Sequence, residues 1–155
     1  MMPMRIVLTA DHAGVDLKDE LATWLGEQGH DVLDLGTHSH ESVDYPHFGA
    51  MLAEALADGR AERGITICGS GIGVAIAANR NPACRCAQVD EPLSATLGRK
   101  HNDANAIAMG ARLTIFSDAM SSIWVCSRVS SARMASSTAG SISLNLLVKK
   151  PGGTR

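Results

Sequence analysis

The chain has 155 residues, 45% hydrophobic but only 3% aromatic, and a formal net charge of -2. That length fits one domain whose core is built from Ala, Val, Ile and Leu. The charge gives no electrostatic case for nucleic acid as a partner, and no apolar run is long enough to make the membrane one.

Residues 5–10 (Arg-Ile-Val-Leu-Thr-Ala) predict a first buried strand, and Asp11-His12-Ala13-Gly14 a turn. Residues 15–28 have helical spacing, with Leu17, Leu21, Trp24 and Leu25 on one face, and Gly29 suits the stop. Residues 31–35 read as a second strand. A polar loop over 36–43 follows, with His38 and His40 facing solvent. Asp44 predicts the cap of a second helix that ends at Gly59, although Pro46 sits one place later than the usual first helical position. Residues 64–68 predict the third strand and 71–80 its helix. The fourth strand is expected over 85–89, with Cys84 and Cys86 as small buried hydrophobes. A helix opened by Asp90, Glu91 and Pro92 should reach Lys100, followed by a short fifth strand over 104–108 and a last helix over 113–125. Strands alternating with helices imply a parallel sheet covered on both faces, with ligands at the carboxyl ends of the strands.

Character changes after Cys126. Residues 127–143 hold seven serines and no sustained period. We therefore read 1–126 as the functional domain and 127–155 as a divergent tail, partly disordered towards its end. The start, Met-Met-Pro-Met-Arg-Ile, lacks a secretory h-region, and four cysteines do not suggest a disulfide scaffold. A reduced, cytoplasmic protein is expected.

The segment Ile65-Thr-Ile-Cys68-Gly-Ser70-Gly-Ile-Gly-Val74 carries the chemistry. A strand ends in a cysteine, and a glycine-rich turn opens a helix. Glycines let backbone N–H groups approach a ligand, and the helix start adds donors without partners. A thiol placed there has its thiolate favoured. Cys68 is thus a candidate base and Ser70 a candidate proton carrier. Other cysteine chemistries lack their residues. A phosphatase loop needs arginine where Val74 stands, and a dithiol site needs cysteine where Gly71 stands. No further ligands stand at zinc spacing. The dinucleotide fingerprint would need a third glycine at Val74.

Taken in order, five segments match one family. Thr9-Ala-Asp-His-Ala-Gly14, Asp44-Tyr-Pro-His47, Ile67-Cys-Gly-Ser-Gly-Ile-Gly73, Ala77-Ala-Asn79 and His101-Asn-Asp-Ala-Asn105 with Gly110-Ala-Arg112 resemble the B-type ribose-5-phosphate isomerases. These are grouped with the galactose-6-phosphate isomerase subunits. The resemblance covers residues 4 to about 125 and implies a Rossmann-like or flavodoxin-like three-layer α/β sandwich with a five-stranded parallel sheet. It implies isomerisation of a phosphorylated sugar, without metal or cofactor, by a homodimer or dimer of dimers in pentose phosphate metabolism. Ribose 5-phosphate is the expected substrate; a hexose 6-phosphate, or sugar-phosphate binding without turnover, is the alternative.

By the same resemblance, Cys68 shuttles the proton between C1 and C2, and Ser70 moves one between the sugar oxygens. The amides of Gly69, Gly71 and Gly73, with Asn102, stabilise the enediolate. His101 helps open the furanose ring across a dimer interface. Asp11, His12 and Tyr45 line the sugar, and Arg112 helps hold phosphate. Some relatives carry a carboxylate at the place of Val74, which returns the burden of base to Cys68 here. The family's Gly-Gly-Arg-His-x-x-Arg-like segment is replaced by Ser130-Ser-Ala-Arg133-Met-Ala-Ser-Ser, with Arg128 five residues before Arg133. Weakened phosphate anchoring is expected from that change.

Overall fold

The computed structural model describes residues 2–128. The readings of Arg133 and of the rest of 129–155 lie outside them. Five strands, β1 (Arg5–Ala10), β2 (Asp31–Asp34), β3 (Arg63–Cys68), β4 (Cys86–Gln88) and β5 (Ala106–Gly110), form one parallel sheet in the order β2-β1-β3-β5-β4. Five helices connect and cover them: α1 (Val15–Glu27), α2 (Tyr45–Ala57), α3 (Ile72–Ala78), α4 (Pro92–Asn102) and α5 (Phe116–Arg128). This is the three-layer α/β sandwich expected. Relative to the flavodoxin order, the last two strands are exchanged.

Alternation along the strands feeds two cores. Ile6, Leu8, Ile65, Ile67, Ile107 and Met109 face α1, α4 and α5, where Leu21, Leu25, Ala95, Ala119 and Ile123 meet them. The opposite face is lined by smaller residues: Val7, Cys68, Ala106 and Ala108 pack on Leu52, Ala53, Val74, Ala75 and Ala78 of α2 and α3. Each fully buried leucine contributes about 1.5–3 kcal/mol. Burial on both faces explains why the strands read as continuous apolar runs.

Several boundaries moved, each for a local reason. α4 runs on to Asn102, and Asp103 closes it in a left-handed turn at φ 48, so β5 starts two residues later than expected. α5 begins at Phe116 because Leu113 and Thr114 first donate to the Gly110 carbonyl, both over 2.9 Å. Asp44 does sit at the start of α2, but its carboxylate makes no capping bond. Its usual partners are the second and third N–H groups of the helix. The second belongs to Pro46 and does not exist, and the third, from His47, goes to the Asp44 carbonyl over 3.3 Å. Gly29 (φ 84) and Gly59 (φ 70) stop α1 and α2 as expected.

Candidate active site

The register of the central strands puts the reactive segment on one rim. Cys68 is the last residue of β3, pairs in register with Gly110 of β5, and is buried. The chain leaves it through Gly71 at φ 77. A Cβ there would stand 2.8 Å from the Met109 backbone, so only glycine makes this turn. The turn aims the Gly71 N–H at Cys68 Sγ over 3.1 Å. The Ile72 N–H reaches Ser70 Oγ over 3.3 Å. The first bond inside α3 is Ala75 N–H to Gly71 C=O, so the Gly73 and Val74 amides have no acceptor within the helix. With seven residues, α3 offers these donors more than a macrodipole.

Neighbouring segments close around the turn. The N–H of Asp11, at the end of β1, donates to the Ile67 carbonyl over 3.0 Å, fixing a buried carboxylate beside β3. Asp11 Oδ1 accepts from Ala13 N–H over 2.9 Å. His12 Nδ1 accepts from Val43 N–H over 3.2 Å, which sets its tautomer and ties the loop after β2 to this rim. Tyr45, the first residue of α2, lays its ring over Gly73: a Cβ there would stand 2.4 Å from the ring. The Arg112 guanidinium lies against Gly69, with Cζ 3.5 Å from where a Cβ would sit. One rim therefore gathers an acid, an imidazole, a phenol, a thiol, a hydroxyl, a guanidinium and a bed of amides.

His101 and Asn102 are not brought there. They end α4, which leads into the opposite end of β5. The Asn105 carbonyl accepts from Gly64 N–H over 3.0 Å, and Gly64 lies four residues before Cys68 on β3. That separates the two rims by about 13 Å. Both side chains are exposed at the far rim of their own chain.

Residues 6–139 match the family model described as Ribose/Galactose Isomerase. The chain is 45% identical over 109 residues to ribose-5-phosphate isomerase B of Escherichia coli (strain K12), covering 70% of this chain and 73% of that one. The chain belongs to the ribose/galactose isomerase family. It is an enzyme of the aldose–ketose isomerase class. The Clostridium thermocellum ribose-5-phosphate isomerase B superposes with a TM-score of 0.81 at 42% identity, covering 83% of this chain and 86% of that one. The Mycoplasma genitalium enzyme, solved with bound ribulose 5-phosphate, gives 0.77 at 29% identity, covering 82% and 85%.

Other residues take parts that the sequence did not announce. Lys18 sits on the buried face of α1, fully enclosed, with Nζ 2.5 Å from Asp34 and 2.6 Å from Asp19. Asp34 Oδ1 also accepts from Gly36 N–H over 2.9 Å, so this pair anchors the loop at the site rim. The one available signal was a lysine on an otherwise apolar helix face. Asn79 is structural: its side chain donates to and accepts from the Cys86 backbone, both over 2.8 Å, and so pairs the outer edge of β4. His38 and His40 are exposed as expected, and His40 Nε2 lies 2.8 Å from Asp16. Among the described residues, no three His, Cys, Asp or Glu side chains gather as metal ligands, and no helix is long and apolar enough to cross a membrane.

Proposed function

We propose that this isomerase interconverts ribose 5-phosphate and ribulose 5-phosphate through an enediolate, with Cys68 as the base. The observation that carries the reading is the Cys68 sulfur, held at a strand end with a backbone donor 3.1 Å away and a bed of amides beyond it. In the open-chain aldose, the thiolate takes the proton from C2, next to the C1 carbonyl. The electron pair forms the C1–C2 double bond and the carbonyl oxygen becomes an oxyanion. Ser70 carries a proton between O1 and O2, and the Cys68 thiol returns its proton to C1. Charge grows on oxygen in this step, and each preorganised donor there is worth about 3 kcal/mol. The 69–73 amides supply such donors. Asp11, His12 and Tyr45 orient the sugar, and Arg112 supplies a cation for its phosphate. Val74 is fully buried in the core and takes no proton.

His101 and Asn102 enter from a second copy of the chain. A site that uses both Cys68 and His101 needs two rims about 13 Å apart in one chain, and two copies bring them together. The exposed Ile72 and Ile76 of α3 support self-association beside the catalytic turn. His101 then opens the furanose ring, and Asn102 adds a donor to the enediolate. Four free thiols support a reducing, cytoplasmic setting.

The test is ketose formation from ribose 5-phosphate, with galactose 6-phosphate and allose 6-phosphate assayed alongside. The parent is expected to prefer the pentose phosphate. Cys68→Ala is expected to lose at least about a thousandfold in kcat with its circular dichroism unchanged. Activity within about threefold of the parent would exclude the thiolate as base.

A further inference from the structure

Among the described residues, Asp103 is the only one other than glycine with a left-handed backbone, at φ 48. It follows His101 and Asn102 directly and closes α4. Such a conformation costs free energy for a residue with a side chain and persists only where the surroundings hold it. Here they hold it from three directions. Its N–H and that of Ala104 both donate to the Gly98 carbonyl, the second over 3.1 Å. Its carboxylate accepts from Arg99 Nη1 over 2.8 Å and from Arg85 Nη2 over 3.1 Å. Its carbonyl accepts from Arg85 Nε over 2.8 Å.

The clamp is itself anchored. Arg99 is 5% exposed, and its Nη1 also donates to the Ala104 carbonyl over 2.8 Å. The Arg85 N–H donates to Asn105 Oδ1, and Asn105 Nδ2 donates to the Ala83 carbonyl, both over 2.8 Å. Helix ends commonly fray, and a glycine alone suffices to stop one. This end carries two guanidinium groups instead, on charge-assisted bonds of fixed geometry. What the clamp holds still is the pair of exposed residues immediately before it.

We propose that Asp103 is a positioning residue for the isomerisation: its arginine-clamped turn fixes the α4 terminus from which His101 and Asn102 serve the sugar at a second copy's Cys68. The inference rests on the shared-site reading above. A site is only as accurate as the groups that support its reacting side chains. If the last turn of α4 loosens, the imidazole spends less time in reach of the ring oxygen. Substrate is still held by the other chain's rim, so the loss falls on kcat and not on KM.

Asp103→Gly removes the carboxylate yet suits the left-handed turn, so the helix stop survives. Asp103→Asn keeps an oxygen for Arg99 and also tolerates that turn. With ribose 5-phosphate, Asp103→Gly is expected to lower kcat about tenfold with KM within about threefold, and Asp103→Asn to recover most of the loss. In a background that carries both His101→Asn and Asn102→Ala, Asp103→Gly is expected to change the residual kcat less than about twofold, because both positioned groups are gone. If Asp103→Gly does not fold, Arg85→Met loosens the same clamp from the other side and is held to the same criteria. A parent sensitive to His101→Asn but not to the loosened clamp overturns the proposal alone. Losses that still multiply in that background also overturn it. A parent indifferent to His101→Asn removes the shared-site reading first, and this proposal with it.

Discussion

His30 shows how one buried side chain couples the fold to pH. It is 8% exposed and its Nδ1 accepts from Met4 N–H over 3.2 Å, a bond that only the neutral ring makes on that side. Burial lowers its pKa, and the positive amino terminus lowers it further. The native state therefore favours the neutral ring more strongly than the unfolded chain, which takes up a proton near pH ~6.5. Stability from this group is complete above that value and is lost as pH falls below it. The melting temperature is expected to drop between pH 7 and pH 5, and His30→Gln to flatten that slope. An unchanged slope in the variant would assign the effect elsewhere. Burial pushes the Cys126 thiol up to about 11, so it stays protonated near neutrality.

At the scale of elements, the turn from Cys68 to Gly73 depends on β5 as much as on β3. Gly71 reads in the sequence as part of a glycine-rich turn whose N–H groups can approach a ligand. The structure adds that its Cα faces the Met109 and Gly110 backbone, which cannot rotate aside as a side chain would. Gly71→Ala therefore combines an unfavourable φ with a backbone overlap and is expected to cost roughly 1–3 kcal/mol. Urea unfolding measures this; a change below about 0.5 kcal/mol would show that the strands separate to admit the methyl group. The strands were legible as short continuous apolar runs and the helices by their period of 3.6. Their ends were not, because each depends on which carbonyl takes the next N–H. α5 starts late because Gly110 holds Leu113 and Thr114, and β5 starts late because Asp103 needs its arginines.

At the scale of the molecule, the proposed division of the site between two rims would make the assembly part of the chemistry. Sedimentation at micromolar concentration is expected to show a dimer or a larger even assembly. Mixing Cys68→Ala with His101→Asn, each impaired alone, is expected to give more activity than the two separately, because in a mixed dimer one site receives both intact residues. No recovery, with exchange of subunits confirmed by labelled chains, would place both residues in one chain's site and contradict the topology described above. The exposed apolar face of α3, Ile72 at 53% and Ile76 at 56% exposed, is where added charge is expected to split the assembly.

Local pattern was enough for the layered parallel sheet, because runs such as Ile6-Val7-Leu8 are apolar on both faces and only a sheet covered twice accepts them. It also determined the thiol and its glycine bed, because strand, cysteine, glycines and helix are contiguous and their geometry is local. Tertiary structure alone decided the rest. The strand order set which ends lie together, and so brought Asp11, Tyr45 and Arg112 to Cys68 while sending His101 and Asn102 to the other rim. Lys18, Asn79 and Asp103 acquired their roles only from partners 16, 7 and 18 residues away: Asp34, Cys86 and Arg85. No sequence period encodes such pairings, since they follow from how separate helices and strands meet in space.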